Sequence, residues 1–193
     1  MEIFRHEVPG LERKDDAIEY INEFLECGSK INGVGSLDRY IEDYEGWLQK
    51  LEIDRTMEPN EQKVPADTYF LVRENDNRIV GMINIRHCLN ENLKQVGGHI
   101  GYSIRPSERR KGYNKVNLYL GLIRCQELGI KEVLMDCDYD NLASARTMLA
   151  LGGRLVREWY EPNIYKTYLQ DYVIDVDESV KVYRKTYEPM ISK

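Results

Sequence analysis

Apolar residues recur along the chain with two periods, and the switches between them mark out the elements. Ala17, Ile18, Ile21, Phe24 and Leu25 follow the three-and-four spacing of a helix buried on one face, predicted over residues 15–27. Asp15 and Asp16 sit where the helix dipole favours negative charge. Gly28, Gly33 and Gly35 interrupt this pattern. A second stripe, Leu37, Tyr40, Ile41, Tyr44, Trp47, Leu48 and Leu51, predicts another helix with Ser36 as its N-cap. Its aromatics read as core, with the wall of a pocket as the other reading. Pro59 and Pro65 among polar neighbours mark a loop over residues 54–66. Thr68 to Arg73 and Ile79 to Ile85 are strands joined by the turn residues Asn75-Asp76-Asn77, a β-hairpin. Residues 90–95 are polar and read as a surface loop.

Gly98 to Ile104 reads as the next strand, and Val116 to Leu128 as a long helix closed by Gly129. Glu132 to Cys137 is a buried strand. Asn141 opens a further helix that ends at Gly152-Gly153. Arg154 to Tyr160 and Tyr165 to Tyr172 are two more strands, and Ser179 to Tyr187 reads as a last β-rich stretch after the acids Asp175, Asp177 and Glu178. A strand, a helix and a strand in the middle of this order imply a βαβ crossover. The fold class is therefore mixed α/β: a central, partly parallel sheet of about six to seven strands flanked by helices.

Composition narrows the function. The chain has 193 residues, of which 42% are apolar and 31% charged, as in an ordinary globular domain. Its net charge of −6 argues against a general nucleic-acid binder. Cys27, Cys88, Cys125 and Cys137 are scattered without ligand spacing, which predicts reduced thiols, a cytoplasmic location and no metal site. No apolar run approaches the roughly 20 residues that span a bilayer, so no membrane partner is expected. Against the acidic whole stands one basic segment. Arg105, Arg109, Arg110, Lys111 and Lys115 fall between the strand ending at Ile104 and the following helix, with Glu108 the only acid. A basic loop with a glycine before a helix N-terminus is suited to hold phosphate, because the first N–H groups are unpaired and the dipole adds positive charge.

The stretch Gly97-Gly98-His99-Ile100-Gly101-Tyr102-Ser103-Ile104 followed by Arg109-Arg110-Lys111-Gly112-Tyr113-Asn114 resembles the acetyl-CoA-binding motif of the GNAT superfamily of N-acetyltransferases. Arg109 and Gly112 match the first two fixed positions of its Arg/Gln-x-x-Gly-x-Gly/Ala signature. Asn114 departs from the third, and Arg110 stands where a glycine is common. Asn141 and Ser144 are similar to the family's next helix start, and the resemblance spans about residues 68–170.

The resemblance implies a single GNAT-like domain. Residues 1–66 would form a helical acceptor-side part, 68–170 the acetyl-CoA-binding core and 171–193 a C-terminal β-rich segment. It implies an acyl-CoA N-acyltransferase that moves acetyl from acetyl-CoA to a primary amine by direct attack in a ternary complex. Backbone N–H groups of Arg110, Lys111, Gly112, Tyr113, Asn114 and Lys115 would face the pyrophosphate, with charge from Arg109, Arg110, Lys111 and Lys115. Each cation is otherwise a solvated surface group, and Gly112 otherwise a plain loop glycine. Asn114 either obstructs the ligand or donates to it. Ser103 and Ile104 would pair with the amide-bearing arm, and Asn141 would reach that arm or serve only as N-cap.

His99 stands where many relatives carry a glutamate and is the candidate base, the other reading being a histidine bonded within the sheet. Met148 occupies a position where many relatives place a tyrosine acid. The acceptor is a small-molecule or peptide amine, and Asp43, Glu45, Glu91 and Asp171 would suit a cationic one. Pairing through late strands, seen in such families, allows a homodimer. Asn114 and Met148 also support an alternative: a CoA-binding sensor or partner module without transfer activity.

Overall fold

A computed structural model describes residues 1–192. Seven strands and six α-helices are interspersed among the described residues, and the mixed α/β architecture is the one expected. A short strand β1 (Phe4–Glu7) comes first, then helix α1 (Lys14–Glu26) and helix α2 (Tyr44–Thr56). Strands β2 (Ala66–Arg73) and β3 (Arg78–Arg86) form the expected hairpin, and β4 (Ile100–Ile104) adds to β3. The first sheet has the order β1-β2-β3-β4. Helix α4 (Tyr113–Glu127), which follows the short helix α3 (Glu91–Gln95), leads to β5 (Glu132–Asp138). Helix α5 (Leu142–Leu149) and the hairpin β6 (Arg154–Glu161) and β7 (Thr167–Asp175) complete a second sheet of order β5-β7-β6.

Every ladder within the two sheets is antiparallel. The sheets meet where β4 and β5, joined through α4, lie side by side. The His99 N–H donates to Leu134 O at 2.7 Å, and beyond this point no backbone hydrogen bond joins the two strands among the described residues. A gap therefore opens between β4 and β5, with α4 and α5 on one side and the α1–α2 connection on the other.

Two apolar clusters hold the first sheet from opposite faces. Phe70, Val72, Ile79 and Met82 pack with Tyr20, Phe24 and Trp47 of α1 and α2. Leu71, Val80, Ile83 and Ile85 pack with Val116, Leu120 and Leu122 of α4. The two-residue side-chain period sorts these residues, with one slip. Leu71 pairs with Gly81 and Val72 with Ile79, so Val80 is an extra residue, a β-bulge. The second sheet has only one such cover. Val133, Met135 and Cys137 face α4 and α5, whereas nearly all of β6 is exposed.

Several sequence expectations shift. Ser36 does not cap a helix; it takes a left-handed conformation (φ 71°) before a short 3-10 turn, and α2 starts later with the Asp43 carboxylate accepting from Gly46 N–H. Residues 91–95, read as loop, form one helical turn capped by Asn90. The stretch Ser179–Tyr187, read as β-rich, lies in helix α6 (Val176–Tyr187). Its buried positions, Val176, Ser179 and Tyr187, follow helical spacing, and the Asp175 side chain caps it through Glu178 N–H. The acids read as a turn are thus the cap and first turn of a helix, where its dipole favours them. No helix among the described residues is long and apolar enough to cross a membrane.

Candidate active site in the cleft between the sheets

Hydrogen bonding along β4 decides which of its groups are free. Arg86 N–H donates to His99 O, and Arg105 N–H to Val80 O. In an antiparallel pair, alternate residues turn their backbone groups to one neighbour. The odd-numbered residues of β4 therefore face β3, and the even-numbered ones, Ile100, Tyr102 and Ile104, face the gap. Ser103, expected to offer backbone groups to a ligand, turns them to β3. Its hydroxyl bonds to Asn32 O at 2.6 Å and lies 3.0 Å from the Tyr20 hydroxyl. Ile104 keeps the expected place at the gap, and Tyr102 takes the place of Ser103.

At the C-terminal end of β4 the basic segment divides. Arg105 is buried under α1, donating to Ile79 O and to Glu19 and Glu23, with its guanidinium over the Tyr20 ring. Arg109 folds back to Ile104 O and Ser29 and lies over Phe24. Lys111 pairs with Glu108, whose buried carboxylate also takes a forked contact from Arg73 and a longer one from Arg78. These cations hold the Glu108 carboxyl below its usual range, against the opposing effect of burial, the largest single influence on it. The Tyr113 side chain is also structural, donating to Glu2 and packing on Phe4.

The side chains of Arg110 and Lys115 make no hydrogen bond or ion pair among the described residues, while Lys115 N–H donates to Gly112 O at 3.1 Å. No protein acceptor faces the N–H groups of Arg110, Lys111 and Gly112 there either. Gly112 is left-handed (φ 84°), and a Cβ on it would point into open space. Its backbone thus lies bare at the start of α4, where the dipole favours an anion.

Inside the gap, on the α4 side, the Tyr102 hydroxyl lies 2.8 Å from the Ser144 hydroxyl at the start of α5. Burial raises the Tyr102 pKa, and Ser144 and Asn114 counter it. The Asn114 side-chain oxygen is buried there without a partner. Asn141 is the α5 cap, its Oδ1 accepting from Ser144 N–H at 3.1 Å. Met148, where many relatives of the motif carry an acid, is fully buried in the core.

On the opposite face, the loop after α1 presses on β4. Gly33 (φ 68°) is so close to Gly101 that a Cβ on it would stand 2.3 Å from Gly101 O. Only glycine permits both that conformation and that approach. Lys30 of the same loop pairs with Asp138 at the end of β5. Two residues earlier on the same face of β5, Asp136 accepts Gly97 N–H at 2.7 Å. Burial raises its pKa; Asp171 adds to the shift, and Arg86 opposes it. Burial lowers the Arg86 pKa against the opposing charges of Asp136 and Tyr165, the latter from the β6–β7 turn, and burial followed by Asp136 raises the pKa of Tyr165. That turn is fixed by Glu161, whose carboxylate accepts the N–H groups of Asn163, Ile164 and Tyr165.

His99 lies at the apex of the gap. Its Nδ1 accepts Leu134 N–H at 3.1 Å, so the neutral ring carries its proton on Nε2 and no ring nitrogen keeps a free lone pair. Burial, the largest influence, lowers its pKa. The sequence did not single out Asp136, Tyr102 or Lys30. Strand alternation around Val133, Met135 and Cys137 was a signal for Asp136, since it puts Asp136 on the uncovered face. Nothing local marked the other two. A surface groove of about 730 Å³ along α1 lies outside the gap and is bordered by Glu19, Glu23, Glu26 and Glu42. Among the described residues no group of three or more His, Cys, Asp or Glu is arranged to hold a metal ion.

The profile of the acetyltransferase (GNAT) domain matches residues 13–154, most of the chain. The chain belongs to the GNAT acetyltransferase family. Solved GNAT structures share the fold at low identity. The microcin C7 self-immunity acetyltransferase MccE, in complex with acetyl-CoA and AMP, is 19% identical with a TM-score of 0.64, over 88% of this chain and 91% of its own. RimJ of Mycobacterium smegmatis, in complex with CoA-disulfide, is 14% identical with a TM-score of 0.65, over 90% and 85%. The ribosomal-protein-S5-alanine acetyltransferase of Vibrio fischeri is 16% identical with a TM-score of 0.62, over 92% and 96%. No curated protein matches this GNAT chain in sequence. The family match reaches back through α1 and α2, so the GNAT domain includes the helices that carry Lys30 and Gly33 between them.

Proposed function

We propose that the chain transfers acetyl from acetyl-CoA to a primary amine, by direct attack within a ternary complex. The observation that carries this reading is the gap between β4 and β5, which ends at the unpaired N–H groups of residues 110–112. The residues fit coenzyme A on two counts. The bare Gly112 turn admits a diphosphate to the helix N-terminus, and the buried, unpartnered Asn114 oxygen offers an acceptor to the arm. Arg110, Lys115 and the backbone of residues 110–115 would hold the diphosphate, and Tyr102 and Ile104 would pair with the arm.

When bound, acetyl-CoA supplies an activated acetyl thioester. The chain's own part is to position the amine and move protons. An alkylamine with a pKa near 10.4 is almost wholly protonated at neutral pH, so a base is needed. We assign this role to Asp136. It lies on the face reached from the Lys30 loop, its carboxylate is half-buried, and its pKa is shifted toward the working range. His99 has no free lone pair in its hydrogen-bonded form and is assigned to holding the apex. The Tyr102–Ser144 hydroxyl pair stands on the other face and supplies a proton to the departing thiolate in place of Met148. Asp136 favours a cationic acceptor, whereas Asp138 and Asp171 are already paired with Lys30 and Arg157. MccE and the ribosomal-protein-S5-alanine acetyltransferase support acetyl transfer in general.

The test is thermal stabilisation by acetyl-CoA together with thiol release against a panel of amines, polyamines, amino acids, aminoglycosides and peptides. Acetyl-CoA should raise the melting temperature as mass action requires, and one acceptor class should release thiol. Neither response would end the proposal. Stabilisation without turnover across the panel would favour a CoA-binding sensor module, the reading that the buried Met148 supports.

A further inference from the structure

Asn114 stands where the family motif has a small residue, yet it does not lie on the surface as an incidental substitution. It occupies the first turn of α4, two residues after the left-handed Gly112, and its Oδ1 is buried without a hydrogen-bond partner. Around it are the Tyr102 hydroxyl, toward which its amide group acts as a hydrogen-bond donor, and through Tyr102 the Ser144 hydroxyl. An unpaired buried acceptor costs the folded protein free energy, so it needs an account.

The chemistry of an amide oxygen excludes one account. The diphosphate offers only acceptor oxygens, and acceptor facing acceptor repels. Oδ1 therefore cannot replace the contact that the motif's small residue normally permits at the phosphates. It requires a donor, and it is buried on a side chain that reaches the Tyr102 hydroxyl. The arm that joins the diphosphate to the sulfur carries amide N–H donors. We infer that Asn114 is a specificity residue for that arm, its buried Oδ1 accepting an arm amide N–H and so fixing how deep the thioester sits beside Tyr102. This rests on the acetyl-CoA reading above.

The test needs no acceptor amine. Binding to the wild-type chain, Asn114→Ala and Asn114→Gly is measured by calorimetry with three probes: acetyl-CoA, S-acetylpantetheine and 3′-phosphoadenosine 5′-diphosphate. Melting temperatures without ligand check that each variant is folded. The expected result is a loss of about tenfold in affinity for acetyl-CoA and S-acetylpantetheine in both variants, the value of one buried hydrogen bond. The nucleotide fragment should bind all three chains alike. Unchanged or tighter binding of acetyl-CoA by Asn114→Gly would overturn the inference and make Asn114 an obstruction. An equal loss for the nucleotide fragment would also overturn it, by moving the contact to the phosphates. No binding of acetyl-CoA by the wild-type chain would overturn the acetyl-CoA reading itself.

Discussion

Residues 104–109 and 110–115 are consecutive and both carry net positive charge, yet they do opposite things. In the first half every charge is occupied. Arg105 is 1% exposed and Glu108 3%, and both sit in networks that tie the segment to α1, β2 and β3. In the second half, two cations, three N–H groups and one amide oxygen have no protein partner, Lys111 being the one cation tied back. The first half is a foundation that fixes where the second half stands. A charge count gives Arg105 and Arg109 against Glu108 in the first half and Arg110, Lys111 and Lys115 in the second, but only burial shows which of these cations are occupied.

Breaking the foundation should have the largest effect. Arg105→Met takes the guanidinium from Ile79 O, Glu19 and Glu23, of which Glu23 keeps Ser107 N–H, and should cost about 3 kcal/mol of stability, less than a fully buried pair because Glu19 is exposed. A fall of roughly 6–12 °C in melting temperature would register it. Glu108→Gln should cost about 2 kcal/mol, since Arg73 retains Asp76 and the other two cations are partly exposed.

The second half should respond in binding rather than in stability. Gly112→Ala forces a side chain into a left-handed position at about 1 kcal/mol and covers the bare turn. Its affinity for acetyl-CoA should fall by about tenfold or more in calorimetry. Arg110→Ala and Lys115→Ala should leave the melting temperature unchanged and weaken acetyl-CoA about three- to fivefold each, with the loss shrinking at high salt. A melting temperature that drops with Lys115→Ala would blur the division.

Acidity sharpens the same contrast. The Glu108 carboxyl is held below its ordinary 4.5, so it binds protons less readily folded than unfolded. Its stabilising contribution is present above pH 4.5 and is lost as pH falls through the lowered folded value. Asp136 runs the other way: its raised pKa makes the ionised form a cost that grows as pH rises above 3.8. Asp136→Asn should therefore leave stability at neutral pH unchanged or improved, while removing the acid limb from the turnover profile. Retention of that limb would return the base to His99.

The strands of the hairpin, the α4 crossover and the Asn141 cap were legible because each rests on local pattern and turn chemistry. Helix α6 was misread although Val176, Ser179, Val180, Tyr183 and Tyr187 keep a helical period; its valines and tyrosines carried β propensity, and packing on α4 decided otherwise. Strand β1 is four residues long, too short for a period to show, and it forms because β2 offers it an edge. In the candidate site, the basic loop and Gly112 were readable. The burial of Arg105, the partners of His99 and the orphaned Asn114 oxygen were not, since each depends on residues distant in the chain.

The one backbone–backbone hydrogen bond between the sheets among the described residues, at His99 and Leu134, has a mechanical consequence. The strands form a wedge with a fixed vertex, tied across its open end by Tyr102–Ser144 on one side and Lys30–Asp138 on the other. The width of a wedge grows with distance from its vertex. A slim chain can slide toward the vertex while a bulky headgroup stops at the mouth. The taper thus sorts a ligand end to end by thickness, before any hydrogen bond has formed.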